Sequence, residues 1–261
     1  MNDFDRYDLL IEAYTELQPE IKTARGLTRV PVHPPLGQML EEFGKMPAEA
    51  LFMGVASDDL PMLLNLHDPV PGPLLILGDA GAGKTNLLQI IARAAGIMHQ
   101  PRNLQFGVLT NHPAEWSTFE QTPNNVGIFP FYSDSSQDFI LSLASWAHGN
   151  KSSEQSVLLL MDDLEAASNL DFDTRQNLRW LLLRGPARRV WPIVTLNPNN
   201  VADLKPWLDI FHTRIFGSIK DERRSLQMGA ENAKLETLNA GSEFTSREGN
   251  HWLRFWLPSM D

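Results

Sequence analysis

The stretch Leu74-Leu75-Ile76-Leu77-Gly78-Asp79-Ala80-Gly81-Ala82-Gly83-Lys84-Thr85 decides the fold of this chain. Four apolar residues precede the pattern G-x-x-x-x-G-K-T, and an apolar-periodic run over residues 86–95 follows it. This order predicts a buried strand, a phosphate-binding loop and a helix. Glycines let a loop turn its N–H groups toward phosphate oxygens, and the N-terminal end of the helix adds a partial positive charge. A chance glycine-rich turn would lack the flanking strand and helix, so we expect the loop to bind a nucleoside triphosphate.

The residues expected to contact the nucleotide begin with the loop and end just inside the helix. They are Gly78, Asp79, Ala80, Gly81, Ala82, Gly83, Lys84, Thr85 and Asn86. The Lys84 ammonium is expected to reach the β- and γ-phosphates, and the Thr85 hydroxyl is expected to ligate Mg²⁺. We therefore predict ATP and Mg²⁺ as cofactors, and we expect the helix to end near Gly96.

The composition indicates a folded globular chain. Of 261 residues, 43% are hydrophobic and none is cysteine, which excludes disulfides and thiolate metal sites. The first residues are acidic and resemble no signal peptide, and no apolar run approaches the ~20 residues of a membrane span. We therefore expect a cytoplasmic protein without a membrane span. The net charge of −10 argues against a protein that coats nucleic acid with its whole surface, but allows a ring with a few basic residues in its channel.

The expected domain organisation is a helical or linker appendage over residues 1–50 and a nucleotide-binding domain over residues 51–261. Residues 3–23 have roughly helical apolar spacing, which fits a helix packed on the domain edge or a partner-binding arm. Prolines mark residues 26–48 as a connection with one short helix near 36–43. The apolar runs of residues 51–66 predict a β-hairpin that leads toward the loop strand.

After the loop, apolar runs alternate with helical patterns. The expected strands are 104–109, 126–131, 157–161, 191–196 and 211–216, and the expected helices follow 134 and 221. Residues 243–257 predict a closing β-hairpin. The fold class is therefore α/β, a RecA-like nucleotide-binding fold with a mainly parallel central sheet flanked by helices.

Two adjacent acids, Asp162 and Asp163, end a fully apolar strand and form the second signature. In such sites the first acid holds Mg²⁺ directly or through water, which is the role expected of Asp162. A neighbouring carboxylate then polarises the attacking water, with Asp163 as the first choice and Glu165 as the second. A strand end that runs into a helix cap would give the same pattern, but the preceding loop favours the catalytic interpretation.

Two further positions complete the expected site. Asn197 follows a core strand, where a polar side chain could sense the γ-phosphate or orient the water. Arg214 lies at the start of another strand, where it is either a structural surface residue or an arginine supplied to a neighbouring subunit's nucleotide. Residues 174–202 also carry five arginines and no acid, as in a solvated helix face or a basic edge that meets a polyanion.

With these pieces placed, the chain resembles the FtsK/HerA superfamily of ring ATPases, the motors of DNA pumping and type VII secretion. The resemblance covers residues 51–257. It rests on LLILGDAGAGKT, LQFGVLTNHPAEW, LLLMDDLEAA, LLLRGPARRVWPIVTLNP and FHTRIFGSIKDERRSLQMGA. It implies ATP hydrolysis in a homo-oligomer, plausibly a hexameric ring with active sites between subunits, with DNA or a protein as the partner. Arg214 would then act in trans.

Two departures from the family pattern bear on activity. Such motors usually follow the Mg²⁺ aspartate with glutamate, whereas this chain has Asp163, and their T-Q-R-P-like strand end is here Thr195-Leu196-Asn197-Pro198. The sensing role therefore falls to Thr195 or Asn197. The alternatives are an AAA+ ATPase like replication initiators and helicase loaders, which would place a helical lid after Arg214, and a scaffold that binds ATP to assemble but scarcely hydrolyses it.

Overall fold

The strands of the described chain form one sheet in the order β2-β1-β10-β9-β8-β3-β7-β6-β4-β5. The computed structural model describes residues 33–150, 154–249 and 251–260. The strands are β1 Ala50–Ala56, β2 Pro61–Asn65, β3 Leu74–Leu77, β4 Leu104–Thr110, β5 Asn125–Pro130, β6 Ser156–Asp162, β7 Val190–Leu196, β8 Thr213–Phe216, β9 Glu243–Glu248 and β10 His251–Trp256. The strands from β8 to β5 in this order run parallel, and those from β2 to β9 pair antiparallel. The expected sheet is therefore confirmed, with an antiparallel extension on one side.

Helices cover both faces of the parallel half. They are α1 Leu36–Phe43, α2 Lys84–Met98, α3 Asp134–Gly149, α4 Phe172–Arg184, α5 Val201–Leu208 and α6 Glu222–Gln227. Short 3-10 helices occupy Pro113–Phe119, Leu164–Asn169, Pro186–Arg188, Pro198–Asn200 and Leu235–Thr237. One apolar core lies between the sheet and α1 and α2, and a second lies between the sheet and α3, α4 and α5. Because β3, β6 and β7 are buried along their whole length, these strands are apolar runs rather than alternating patterns.

Two hairpins make the antiparallel half. The expected hairpins are β1–β2 and β9–β10, and they pair with each other through Val55 opposite Trp256. After β8, the described residues contain the six-residue helix α6, one 3-10 turn and the closing hairpin. That segment has strands where the AAA+ alternative requires a lid of several dozen helical residues.

The compact unit extends over Pro35–Asp261. It includes α1, although the sequence pattern predicts that residues 1–50 belong to an N-terminal appendage. Leu36 is completely buried, and its N–H donates to the Ser259 carbonyl at 3.0 Å, so α1 packs with the nucleotide-binding fold. The helix expected within residues 3–23 lies outside the described residues. In the part of the chain that is described, no helix has the length and apolar character to cross a bilayer.

The arginine-rich region after β6 divides into structural and exposed members. Arg189 lies at the start of β7, where Nη1 is 3.2 Å from Glu49 Oε2 and donates to the Leu66 carbonyl at 2.8 Å. Its Nη2 donates to the Glu154 carbonyl at 3.1 Å. Arg175 and Arg184 on α4 are exposed. Arg189 therefore joins β7 to the first hairpin, and the solvated-face interpretation suits the α4 residues.

Candidate functional site

Adjacent parallel strands end at one edge of the sheet and bring the expected residues together. Leu77, the last residue of β3, pairs with Leu196 at the end of β7 and with Phe216 at the end of β8. Asp162, the last residue of β6, pairs with Thr110 of β4. The phosphate loop, the acidic pair and Asn197 therefore leave the sheet at the same edge, where open α/β sheets bind their ligands.

The phosphate loop has the backbone conformation that its glycines allow. Gly81 and Gly83 have φ of 77° and 91°, a region that other residues rarely adopt. Gly83 is also the N-cap of α2, and no side chain caps that end, so the first N–H groups of the helix can bind phosphate oxygens. A Cβ atom at Gly78 would lie only 2.8 Å from Ala82 Cβ. Glycine at these positions therefore permits the backbone conformation and close packing of the loop.

Lys84 lies along the loop that it is expected to serve. Its ammonium donates to the carbonyls of Gly78 at 2.8 Å and Asp79 at 3.0 Å. Burial lowers the pKa of Lys84, and the negative charge of Asp162 opposes that shift. The ammonium is partly buried and its two hydrogen-bond acceptors are neutral, so phosphate oxygens would be stronger partners for it.

The side chains of Thr85 and Asp162, the expected ligands of Mg²⁺, are in direct contact. The Thr85 hydroxyl donates to the Asp162 carboxylate at 2.9 Å and 3.1 Å, and Asp162 is only 8% exposed. Mg²⁺ favours such hard oxygen ligands, and it takes its remaining ligands from phosphates and water. Among the described residues no cluster of three or more His, Cys, Asp or Glu side chains could hold a metal by itself. The residues present therefore fit Mg²⁺ bound together with a nucleotide.

Thr195 connects the two acids. Its hydroxyl donates to Asp162 Oδ1 at 3.0 Å and accepts the Asp163 N–H at 2.8 Å, and the residue is 1% exposed. Asn197, two residues further, accepts the Asn199 N–H at 3.2 Å and so holds the turn after β7. Of the two sensing candidates, Thr195 is the one that contacts the acidic pair.

Asp163 has an unusual conformation. Its φ of 100° and ψ of 96° lie outside the regions that aspartate favours, and Oδ1 accepts the Glu165 N–H at 2.9 Å. Burial raises the pKa of Asp163, with a further contribution from the negative charge of Glu165, whereas a hydrogen bond from the Asn111 side chain opposes the shift. Asp163 is therefore linked to Glu165 directly and to Asp162 through the Thr195 hydroxyl.

Arg214 does not join this group. Its Nε, Nη1 and Nη2 donate to the carbonyls of Phe211, Met228 and Leu208 at 3.2, 2.8 and 3.0 Å. Arg214 also pairs with Leu75, well before the end of the strand. The guanidinium therefore donates to main-chain oxygens of its own chain. This favours a structural role for Arg214 over a contact with a neighbouring subunit's nucleotide.

The rear of the phosphate loop includes residues that the sequence did not single out. Ala82 is 1% exposed and lies beside Gly217, and Gly217 in turn lies against the Phe244 ring of β9. The Asn86 amide donates to the Gly241 carbonyl at 3.1 Å. A Cβ at Gly83 would come within 2.7 Å of the Gly241 backbone. The segment before β9 therefore forms a wall against the loop, and no local sequence pattern points to it.

Asp79 binds the chain that leaves β8. Its N–H donates to the Ser218 carbonyl at 3.0 Å, and its Oδ2 accepts the Lys220 N–H at 2.9 Å. The exposed residues at the tip of the loop are Ala80 and Gly81. Thus Asp79 and Asn86, both expected to contact the nucleotide, also anchor the two ends of the loop to neighbouring segments.

A protein-family model covers the segments that form this site. The model of the NACHT domain matches residues 72–227, which is more than half of the chain and includes β3 to α6. Comparison with curated protein sequences found no match.

Several solved ATPase structures share the fold. ATPases 2 and 3 of EccC from Thermomonospora curvata, solved with a signal sequence peptide, have a TM-score of 0.66 at 15% identity, covering 88% of this chain and 44% of that one. ATPases 2 and 3 of EssC from Geobacillus thermodenitrificans have a TM-score of 0.65 at 14% identity, covering 82% and 45%. The pCW3 conjugation coupling protein TcpA, solved with ATPγS, has a TM-score of 0.65 at 13% identity, covering 88% and 71%.

This chain spans less than half the length of the EccC and EssC structures. At these identities the likeness establishes the fold alone, and it confirms the expected α/β fold with a mainly parallel central sheet. The family model and the geometry of the loop and acidic pair lead to one assignment: the chain belongs to the NACHT domain family of P-loop nucleoside triphosphatases.

Proposed function

We propose that this protein binds ATP with Mg²⁺ and hydrolyses it to ADP and phosphate as a motor-type ATPase. The observation that carries the proposal is the contact between the Thr85 hydroxyl and the Asp162 carboxylate at 2.9 Å, directly beside the phosphate loop. It joins the two residues that would share a Mg²⁺ ion with the β- and γ-phosphates. When bound, Mg²⁺ would neutralise the charge that develops on those phosphates.

The remaining roles follow from the positions of the side chains. Lys84 would exchange the Gly78 and Asp79 carbonyls for phosphate oxygens. A water oxygen would attack the γ-phosphorus while the bond to the β–γ bridging oxygen breaks, and ADP would leave with that electron pair. Asp163 or Glu165 would take the proton of the water. Since this chemistry depends on position and charge, a loop held at both ends is suited to it.

We further propose that the protein acts as a homo-oligomer, plausibly a hexameric ring, on DNA or another polymer. This part rests on the resemblance to FtsK/HerA motors and on the shared fold with EccC, EssC and TcpA. The cytoplasmic location expected from the sequence belongs to the same proposal. Arg214 is tied to its own chain, so a neighbouring subunit would have to supply a different group if the sites are shared.

A scaffold that binds ATP but hydrolyses it slowly is the second candidate, and one observation favours it. Asp163 stands where motors of this type carry a glutamate, its backbone is strained, and its Oδ1 already accepts the Glu165 N–H. A short carboxylate held in this way is poorly placed to reach a water. The two candidates share the nucleotide site and differ in the rate of turnover.

An ATPase assay with and without double-stranded DNA tests the proposal, combined with mass measurement in the presence of a non-hydrolysable ATP analogue. Lys84→Ala should abolish nucleotide binding or hydrolysis, and Lys45→Ala, which removes an exposed lysine outside the loop, should leave both unchanged. Unchanged turnover in Lys84→Ala would overturn the assignment. Measurable turnover stimulated by DNA would reject the scaffold, whereas a nucleotide-dependent assembly without turnover would support it.

A further inference from the structure

A chain segment that continues from β8 runs alongside the phosphate loop. The Gly217 N–H donates to the Leu77 carbonyl at 2.7 Å, and the Asp79 N–H donates to the Ser218 carbonyl at 3.0 Å. The Lys220 N–H then donates to Asp79 Oδ2 at 2.9 Å. Helix α6 begins immediately after this segment. The segment before α6 is therefore held beside the phosphate loop by two main-chain hydrogen bonds and one to the Asp79 carboxylate.

Arg224 of α6 reaches from this segment to the turn after β7. Its Nε lies 3.4 Å from Asp221 Oδ2, and its Nη1 donates to Asn199 Oδ1. Strands β8 and β7 flank β3 on opposite sides, so the side chain of Arg224 spans the end of the strand from which the loop emerges. A guanidinium is thereby placed at the edge of the sheet where the nucleotide site lies.

These contacts belong to a closed circuit of hydrogen bonds and short chain segments that begins and ends on the phosphate loop. Asn199 donates its N–H to Asn197, and Asn197 follows Thr195, which binds the Asp162 carboxylate. Asp162 in turn accepts the Thr85 hydroxyl. The circuit starts on the loop at Asp79, passes through α6 and the ends of β7 and β6, and returns to the loop at Thr85. Lys84, which is expected to bind the γ-phosphate, lies between these two points of the loop.

Arg224 differs from Arg214 in the strength of its existing contacts. Arg214 donates to three main-chain carbonyls from a partly buried position. Arg224 keeps 43% of its side-chain surface exposed, and its partners are an aspartate that is itself 45% exposed and a neutral amide. Exposed ion pairs of this kind contribute little stability, so Arg224 can exchange partners at low cost.

We propose that Arg224 is a γ-phosphate-contacting residue that distinguishes ATP from ADP, an inference that rests on the proposed ATP-binding function. A phosphate oxygen is a much better guanidinium acceptor than the Asn199 amide oxygen, because the bond is charge-assisted and can be bidentate. With the γ-phosphate present, Arg224 exchanges Asn199 for phosphate. With ADP it retains Asn199. The turn after β7 and helix α6 are therefore connected when ADP is bound and released from each other when ATP is bound.

The test compares Arg224→Ala with Arg223→Ala, which removes the same charge from the neighbouring exposed position of α6. The affinities of both variants and of the wild-type protein for Mg²⁺–AMPPNP and Mg²⁺–ADP are measured by calorimetry. Arg224→Ala should weaken AMPPNP binding about 10- to 100-fold, the range for loss of a hydrogen bond to a charged group, and change ADP binding less than about 2-fold. Arg223→Ala should change neither affinity by more than about 2-fold.

The other outcomes overturn the inference. Equal weakening of AMPPNP and ADP binding by Arg224→Ala would show a structural role, and equal effects of the two alanine variants would show a general charge effect. An Arg224→Ala variant with wild-type affinity for both nucleotides would remove the proposed contact. If the wild-type protein bound neither nucleotide, the proposed function itself would fail, and that failure is visible before any variant is made.

Discussion

Replacing Thr195 with valine removes the hydroxyl that joins the two acids of the site. Valine has nearly the shape of threonine, but it can neither donate to Asp162 Oδ1 at 3.0 Å nor accept the Asp163 N–H at 2.8 Å. Because residue 195 is 1% exposed, water has little access to replace the hydroxyl. The Asp163 N–H then loses its acceptor, and the Asp162 carboxylate loses one of the two hydroxyl donors that orient it.

The size of the effect follows from these two bonds. A hydrogen bond to a charged group contributes about 1.5–3 kcal/mol and a neutral one about 0.5–1.5 kcal/mol, so the loss should be at least about 2 kcal/mol. In a domain of about 150–250 residues each kcal/mol shifts the melting temperature by roughly 2–4 °C, so we expect a fall of roughly 4–8 °C. Thermal unfolding followed by circular dichroism measures this shift.

The assay that reports on the site is the dependence of ATP hydrolysis on Mg²⁺ concentration. Groups that orient a metal ligand typically change metal affinity about 10- to 100-fold when removed, so Thr195→Val should need about 10-fold more Mg²⁺ for half-maximal hydrolysis. Thr195→Ser is the matched control, because it retains the hydroxyl and loses one methyl group. It should be slightly less stable than the wild type and have the same Mg²⁺ requirement.

The comparison of the two variants can refute the reasoning. If Thr195→Val and Thr195→Ser required the same Mg²⁺ concentration, the hydroxyl would not orient Asp162. If Thr195→Val lowered the melting temperature no more than Thr195→Ser, the two hydrogen bonds of the hydroxyl would contribute no more to stability than packing of the methyl group.

Three further predictions concern other parts of the site. Arg214→Ala should lower the melting temperature without changing nucleotide affinity, because its donors bind carbonyls of the same chain; normal stability with lost hydrolysis would instead support a role in trans. Gly83→Ala should weaken ATP binding more than Gly81→Ala, because a Cβ at Gly83 lies 2.6 Å from the Gly241 carbonyl oxygen, whereas one at Gly81 meets no atom within 4 Å. Calorimetric titrations that gave equal losses would contradict this. Asp163→Asn should raise stability at neutral pH, because burial raises the pKa of Asp163 above 3.8 and the ionised form therefore disfavours the folded state. That destabilisation is present above the folded-state pKa and is lost as the pH falls through it, so the variant's advantage in urea unfolding should shrink at acid pH. A constant advantage from about pH 8 to pH 4 would show another cause.

The parts of the site that sequence predicted are those encoded by short segments. The loop with its flanking strand and helix is one continuous stretch, and the Asp162-Asp163 pair directly follows an apolar strand. Because parallel strands deliver their carboxyl ends to one edge, knowledge of the strands was enough to bring these residues together. Side-chain contacts at that edge could not be ranked in the same way, and the structure favours Thr195 over Asn197 for contact with Asp162.

The missed features depend on residues far apart in the chain. Asn86 and Gly241 are separated by 155 residues. Because every residue has a main-chain carbonyl, no sequence pattern identifies this acceptor. Gly96 was expected to end α2, but the helix continues to Met98, and a Cβ at Gly96 would lie 3.1 Å from the Thr122 methyl group. That glycine provides close packing rather than a helix end. Arg214 likewise has the same sequence signal whether its partner is a phosphate or three carbonyls.

The pairing of β1 with β10 has a consequence for how the protein is made. Residues near both ends of the compact unit meet there, as do Pro35 and Ser259, so the antiparallel half of the sheet forms only after β10 has been synthesised. Distant pairings of this kind fold slowly. The wall behind the phosphate loop belongs to that late half, since it comes from Gly241 and β9. A polypeptide interrupted before residue 241 therefore has the loop sequence without the wall that contacts Gly83 and Asn86 in the complete fold.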